Sequence, residues 1–241
     1  MTKPISRWVG PFRIDRRVVL LLVLAAIALA GRAWLEENPQ HNPWAPLDLR
    51  DPHGMATTAK LIALRDDPQT CRAVLSRSEV AFRALEPAGE GACARTDRTL
   101  LGSYPLDPAT PPVTCPAAIG LVLWERDVVG PVAERIFSSK IETIQHLGAY
   151  SCRRLYGNDD GPWSEHATAN AIDIAGFTLA DGTRIDVLRD WEGDGPKARF
   201  LREVRDGACR SFATVLSPDY NAAHRDHLHL DMNPGWRSVC R

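Results

Sequence analysis

Three of the seven histidines in this 241-residue chain stand within residues 224–229. A strand over residues 227–232 would place His227, His229 and Asp231 on one face, because successive side chains point to opposite faces of a strand. The leucines between them would face a core and leave the two imidazoles side by side over a cleft. Neutral imidazole is a good zinc ligand, and zinc also accepts carboxylate oxygen. The segment therefore predicts either a metal site or a hydrogen-bonded polar face of a sheet.

A second segment, residues 164–174, combines a histidine with a carboxylate. Asp173 shares its predicted strand face with two alanines, so space is left beside the carboxylate. His166 falls in the loop before this strand. Two histidines and one aspartate would form a three-ligand site whose fourth position is open to water. That arrangement is typical of catalytic rather than structural zinc.

The order of these residues resembles a known group of zinc peptidases. The chain contains Ser-x-His, an aspartate seven residues after that histidine, and a distant His-x-His. This pattern resembles the one in D-alanyl-D-alanine peptidases, penicillin-insensitive murein endopeptidases and the hedgehog signalling domain. The spacing His224-x-x-His227-x-His229 is closest to the murein endopeptidases. Residues 148–153 together with 226–231 resemble the bacterial extensin-like C-terminal domain family, over about residues 51–241.

The resemblance implies a role for each polar residue of the two segments. His166, Asp173 and His229 match the ligands of one zinc ion, and His227 matches a histidine beside the metal that assists catalysis. Asp226 stands where the D-alanyl-D-alanine dipeptidases place a glutamate general base. In a regular strand Asp226 would point away from His229, so we expect His227 to be the main proton carrier.

Four further residues are candidates for contact with substrate or metal. Ser164 matches a serine that helps to hold substrate, although it could instead cap a loop. Arg153 or Arg154 could hold a peptide carboxylate through a forked hydrogen bond, the alternative being a solvated surface position. His224 is a possible additional member of the site.

These residues predict metal-assisted hydrolysis, and the resemblance together with the predicted export implies amide bonds in peptidoglycan peptides as the substrate. The alternative from another class is a catalytically silent, zinc-containing envelope domain that binds cell wall or a protein partner. The shorter acid at Asp226 keeps this alternative open. The formal net charge of −1 gives no overall field that would favour nucleic acid as a partner.

The N-terminal residues predict transport out of the cytoplasm. A basic flank, residues 1–17, precedes the apolar residues 18–30, as expected when the flank stays cytoplasmic. This run is shorter than the ~20 residues that span a bilayer, but extension to Leu35 reaches a plausible span. Residues 28–30 also offer a small-residue cleavage site. Residues 18–35 are therefore either an inner-membrane signal anchor, with the C-terminal domain in the periplasm, or a cleaved signal peptide that leaves a secreted periplasmic protein.

All six cysteines lie beyond this segment, on the side predicted to be exported. An even number of cysteines in an oxidising compartment predicts up to three disulfides, and 15 pairings are possible.

Apolar spacing and turn residues divide the remaining chain into a linker, residues 36–50, and one domain, residues 51–241. Helices are predicted at 55–65, 68–83 and 196–209, with two more within 118–147 that join near Gly130. Strands are predicted at 149–155, 169–177, 183–187 and 227–232. This order predicts an α+β fold with a helical N-terminal part and a mostly antiparallel sheet that carries the zinc-peptidase-like site.

Overall fold

A computed structural model of the chain describes residues 13–233 and 239–241, so most of the predicted basic flank lies outside the described residues. The first helix, α1 (Arg13–Glu37), is exposed along its apolar length. It is long and apolar enough to cross a membrane, a test that a signal sequence also passes. Both interpretations of residues 18–35 therefore stay open.

The segment predicted as a linker has irregular backbone but is packed onto the domain. Leu47 and Leu49 are buried in the hydrophobic core. The backbone N–H of Leu49 donates to Ser78 Oγ (2.8 Å), and Arg77 Nη1 donates to the Leu47 carbonyl (2.8 Å). The second half of this segment is therefore part of the globular structure.

Among the described residues six helices follow α1, and the first four of them end before residue 138. They are α2 (Thr57–Ala63), α3 (Pro68–Arg77), α4 (Cys115–Trp124), α5 (Gly130–Phe137), α6 (Val187–Asp190) and α7 (Pro196–Ala208). A π-helical turn, Glu125–Val129, joins α4 to α5. Asp67 caps α3 through a hydrogen bond from the Thr70 N–H, and Pro68 occupies the first turn, as proline does at helix starts.

The nine described strands form one large sheet and one small pair. They are β1 (Phe82–Ala84), β2 (Thr99–Leu101), β3 (Leu106–Asp107), β4 (Ile141–Gly148), β5 (Ala171–Leu179), β6 (Arg184–Asp186), β7 (Thr214–Leu216), β8 (Leu228–Asp231) and β9 (Val239–Cys240). The large sheet has the order β3-β4-β5-β8-β7-β9, with β6 also paired to β5. Only the β3–β4 and β7–β9 pairs of this sheet are parallel. The predicted α+β fold is confirmed.

The core lies between one face of the sheet and the helices α4 and α7. Helix α4 is buried almost all round, and its Trp124 donates an indole N–H to the Val204 carbonyl of α7 (2.8 Å). Phe177 of β5 packs against both Trp124 and Phe200. Because the helices cover this face of the sheet, the residues of β5 and β8 that alternate with the buried ones point to the opposite face, away from the core.

Residues 141–148 form strand β4, so the helix predicted to continue to residue 147 was wrong. Helix α5 ends at Phe137 because Ser138 adopts a left-handed conformation with φ of 53°. The β-branched residues that follow pair with β5 on one side and β3 on the other. The predicted strand at 149–155 was also wrong, since those residues have no strand and begin a short helical turn at Leu155.

All six cysteines are paired in three disulfides, as the even count predicted. The pairs are Cys71–Cys115, Cys93–Cys152 and Cys209–Cys240. The second pair links the segment before the His166 turn to an N-terminal loop, so it restrains the surroundings of the candidate site.

Candidate metal centre

The pairing of β5 with β8 places Asp173 directly opposite His229. Leu228 and Leu230 of β8 are fully buried, which turns the alternate residues of that strand to the other face of the sheet. Ile172 and Ile174 do the same for β5. The carboxylate and the imidazole therefore face each other across neighbouring strands, away from the core.

A short 3-10 turn, Glu165–Thr168, positions His166 beside this pair. Ser164 begins the turn, and its Oγ accepts a hydrogen bond from the His166 N–H (3.3 Å). Ala169 ends the turn in a left-handed conformation with φ of 57° and leads the chain into β5. His166 is buried, so its ring is held by surrounding backbone rather than by solvent.

Three side-chain atoms converge at one point. Nε2 of His166 and Nδ1 of His229 lie 3.1 and 2.9 Å from Oδ1 of Asp173, and 3.1 Å from each other. A tetrahedral zinc ion with ligand bonds of about 2.0 Å has ligand atoms about 3.3 Å apart. The separations are therefore close to those of three corners of such a site, and these residues could hold a metal ion.

The second nitrogen of each imidazole is bonded to the protein. Nδ1–H of His166 donates to the Ala149 carbonyl (3.1 Å), and Nε2 of His229 lies 2.9 Å from Oδ2 of Asp231. These contacts orient both rings and leave one nitrogen of each for the centre, an arrangement typical of metal-binding histidines. Sequence reasoning did not assign a role to Asp231, although its position two residues after His229 on one strand face was a signal for this contact.

The ionisation of the cluster favours a positive charge beside Asp173. Burial by itself would raise the pKa of Asp173, but hydrogen bonds from His166 and His229 hold that pKa well below its usual range. For His229, burial lowers the pKa, whereas hydrogen bonds to Asp173 and Asp231 outweigh it and raise the pKa to about 9. A divalent cation would supply the same positive charge, so the charge balance fits a metal ion.

His227 and Asp226 form a second pair next to these three residues. Strand β8 begins after Asp226, so this carboxylate does not follow the strand alternation. Oδ1 of Asp226 lies 2.8 Å from Nδ1 of His227, and Nε2 of His227 lies 3.5 Å from Oδ1 of Asp173. Asp226 therefore orients His227, while the other nitrogen of that ring faces the metal-ligand cluster.

An open cavity of about 550 Å³ adjoins the cluster. Its lining includes His166, Asp173, His227 and His229 together with Ser164, Arg153 and His224. His224 is outside the three-residue cluster: its Nδ1 lies 2.8 Å from Asn221 Oδ1, and its ring is 5.2 Å from that of His227. Burial, and then the nearby His227 and His229, lower the pKa of His224 to about 4, so it is neutral at pH 7.

The two candidate arginines have different surroundings. Arg153 is exposed and lines the cavity. Arg154 donates to the Gly161 carbonyl and lies over the Trp163 ring, with 4.5 Å between the guanidinium carbon and the ring centroid. Arg154 therefore stabilises the loop at residues 157–163, and only Arg153 is placed at the cavity.

Comparison with known protein families matches residues 69–241 to the family described as Extensin-like protein C-terminus. This range covers more than half of the chain and includes every residue of the candidate centre. Neither the curated proteins nor the solved structures give a match.

Proposed function

The chain belongs to the family of extensin-like protein C-termini, and we propose that it is an envelope zinc-dependent hydrolase that cleaves amide bonds in peptidoglycan peptides. The observation that carries this proposal is the convergence of His166, Asp173 and His229 beside an open cavity. We further propose a relationship to the zinc peptidases that include murein endopeptidases and D-alanyl-D-alanine peptidases, because the same residue types recur in the same order.

In this proposal His166, Asp173 and His229 hold one zinc ion, with ring orientation supplied by Ala149 and Asp231. When bound, zinc supplies Lewis acidity that activates water and polarises the amide carbonyl. Two imidazoles and one carboxylate are the donor set of catalytic zinc sites, which keep one position open.

His227 is the proposed proton carrier. Its Nε2 faces the cluster, so it is placed to accept a proton from the attacking water and to return a proton to the leaving amine. Asp226 holds the opposite nitrogen and thereby fixes the orientation of the ring. Asp226 thereby acts through His227 and is a positioning residue, not the general base that its sequence position suggested.

The size of the cavity and the charge of Arg153 would determine which substrates can bind. The cavity volume lies within the range of small-molecule sites, about 300–1,000 Å³, and would accept a short peptide segment. The guanidinium of Arg153 could form a forked hydrogen bond with a peptide carboxylate. Ser164 lines the same cavity, and its Oγ also caps the turn that carries His166. Its position is therefore compatible with substrate contact and with capping of the turn.

We propose that the domain lies in the periplasm. Helix α1 would anchor it in the inner membrane, and cleavage near residues 28–30 would instead release it as a secreted periplasmic protein. Three disulfides support an oxidising compartment.

The proposal is tested by incubating purified, detergent-solubilised full-length chain and zinc with cross-linked muropeptides, and detecting newly formed free amines by mass spectrometry. The matched control is His227→Ala, which removes the proton carrier and leaves the three ligands. New products from the native chain that disappear in the variant support the hydrolase. Bound zinc with no product from any stem or cross-linked substrate would favour the silent binding domain, and failure to bind zinc would overturn both.

A further inference from the structure

We propose that the junction between α1 and the domain is a membrane-interface wedge, in which Trp44 inserts into the headgroup region of the bilayer crossed by α1. This inference rests on the membrane anchor of the proposed function and is independent of zinc and hydrolysis. The occupant that it assigns to this surface is lipid.

Trp44 has little contact with the domain that follows it. Its side chain is 84% exposed, the most exposed of the large hydrophobic side chains among the described residues. The chain after α1 folds back so that Trp44 lies alongside the helix residues 28–36, across an open cleft of about 540 Å³. A large apolar ring is therefore presented beside the end of a candidate membrane span.

The level of Trp44 along α1 matches the membrane interface. With a rise of about 1.5 Å per residue, residues 28–36 extend about 12 Å along the helix axis. This stretch begins within the apolar run and ends at the exposed ion pair of Arg32 and Glu36 (2.9 Å). In a spanning helix it would cross from hydrocarbon to headgroups, where tryptophan is enriched because its ring is apolar and its N–H is polar.

Hydrogen bonds fix the junction to α1. Asn38 Nδ2 donates to the Trp34 carbonyl (2.8 Å), and the ring of His41 stacks on that of Trp34 with 5.2 Å between centroids. Nδ1 of His41 then accepts from the N–H of Met55 (3.1 Å), whose side chain is 76% exposed. Met55 is thus tied to the same end of α1 and is a second candidate for contact with lipid.

Further contacts fix the junction to the domain. The Ala56 N–H donates to the Gln40 carbonyl (3.1 Å), and Lys60 Nζ of α2 donates to the Pro39 carbonyl (2.7 Å). Gly54 packs so closely on Gln40 that a Cβ at position 54 would clash with that carbonyl. Because the segment is bound at both ends, it would hold the domain at the membrane surface.

The test places a single fluorescent label beside Trp44 in the full-length chain. All six native cysteines are in disulfides, so Ala45→Cys adds one reactive thiol next to an intact Trp44. The protein is reconstituted in vesicles of phosphatidylethanolamine and phosphatidylglycerol that contain brominated lipids, which quench fluorophores within the bilayer. Ala25→Cys on α1 is the reference for lipid, and Leu188→Cys, an exposed leucine of the globular domain, is the reference for water.

We expect quenching at position 45 to exceed that at position 188, and to fall to that level when Trp44→Ser is added. Quenching at 25 but not at 45 would overturn the wedge and leave the anchor intact. Quenching at 45 that persists in Trp44→Ser would also overturn it, because Trp44 would not be the inserted group. Absence of quenching at 25 would remove the anchor and the wedge together, whereas the muropeptide assay would be unaffected.

Discussion

The carboxylate of Asp226 lies 2.8 Å from Nδ1 of His227, on the side of the ring that faces away from the three-residue cluster. Strand β8 begins only at Leu228, so the carboxylate reaches this position from irregular backbone. The contact indicates different roles for the two neighbouring residues: Asp226 orients the ring of His227, and His227 transfers protons.

This division of roles is tested by Asp226→Asn. The amide keeps the shape of the side chain but removes the negative charge beside His227, so we expect turnover on muropeptides to fall roughly 10- to 100-fold, as for other groups that orient catalytic or metal-binding side chains. Zinc content should stay at the native level because Asp226 is not a ligand. Loss of zinc, or unchanged turnover, would contradict the assigned role.

The contact of Asp231 with His229 makes a separate prediction for metal affinity. Asp231 is buried, and its carboxylate fixes the His229 ring so that Nδ1 faces the centre. We expect Asp231→Asn to weaken zinc binding by roughly 10- to 100-fold, measured by competition with a chelator. The matched control is Asp66→Asn, at an exposed residue outside the cavity lining, which should retain native affinity. Equal affinities in the two variants would show that Asp231 does not support the ligand.

The Cys93–Cys152 disulfide should influence the centre more than the other disulfides do. Cys152 follows shortly after Ala149, whose carbonyl orients His166. Replacing both cysteines of this pair by serine should therefore lower zinc affinity as well as the melting temperature. Replacing Cys209 and Cys240 should lower the melting temperature alone. The same zinc affinity in both double variants would contradict this link.

The packing of α7 on the π-helical turn can be tested with one added methyl group. A Cβ at Gly207 would overlap the side chain of Val128, so we expect Gly207→Ala to destabilise the domain by about 1–3 kcal/mol, measured by denaturant unfolding. The matched control is Gly195→Ala, where a Cβ has nothing within 4 Å. Addition of Val128→Ala should restore part of the loss, and failure to do so would argue against overlap as the cause.

The strand faces of Asp173 and His229 could be predicted because they depend on local rules, whereas the convergence of the two side chains also depends on the pairing of β5 with β8. Alternation places the leucines and isoleucines in the core, and this forces the polar residues of β5 and β8 onto the other face. The role of Asp231 follows the same alternation, but its choice of partner required the observed orientation of the His229 ring.

Elements set by distant pairing could not be predicted. Residues 141–148 have apolar spacing compatible with a helix, and only their pairing with β3 and β5 makes them a strand. His146 consequently lies on β4, where its Nε2 donates to the Ala109 carbonyl (3.0 Å), and not on the amphipathic helix that was predicted. Leu47 and Leu49 lie in a segment with irregular backbone, and their fixed positions depend on contacts with Arg77 and Ser78 at the end of α3. The local sequence of the segment does not predict these contacts.

The most direct test of the account is the zinc-to-protein ratio of the purified chain and of variants at the centre, measured by elemental mass spectrometry. We expect one zinc ion per native chain, and loss of that ion in His166→Ala, Asp173→Ala and His229→Ala with the disulfides still formed. His146→Ala, at a histidine outside the cluster, should keep the native ratio. Zinc that persists in His166→Ala or Asp173→Ala, or a native chain that binds none, would contradict the claim that these three side chains hold a single metal ion.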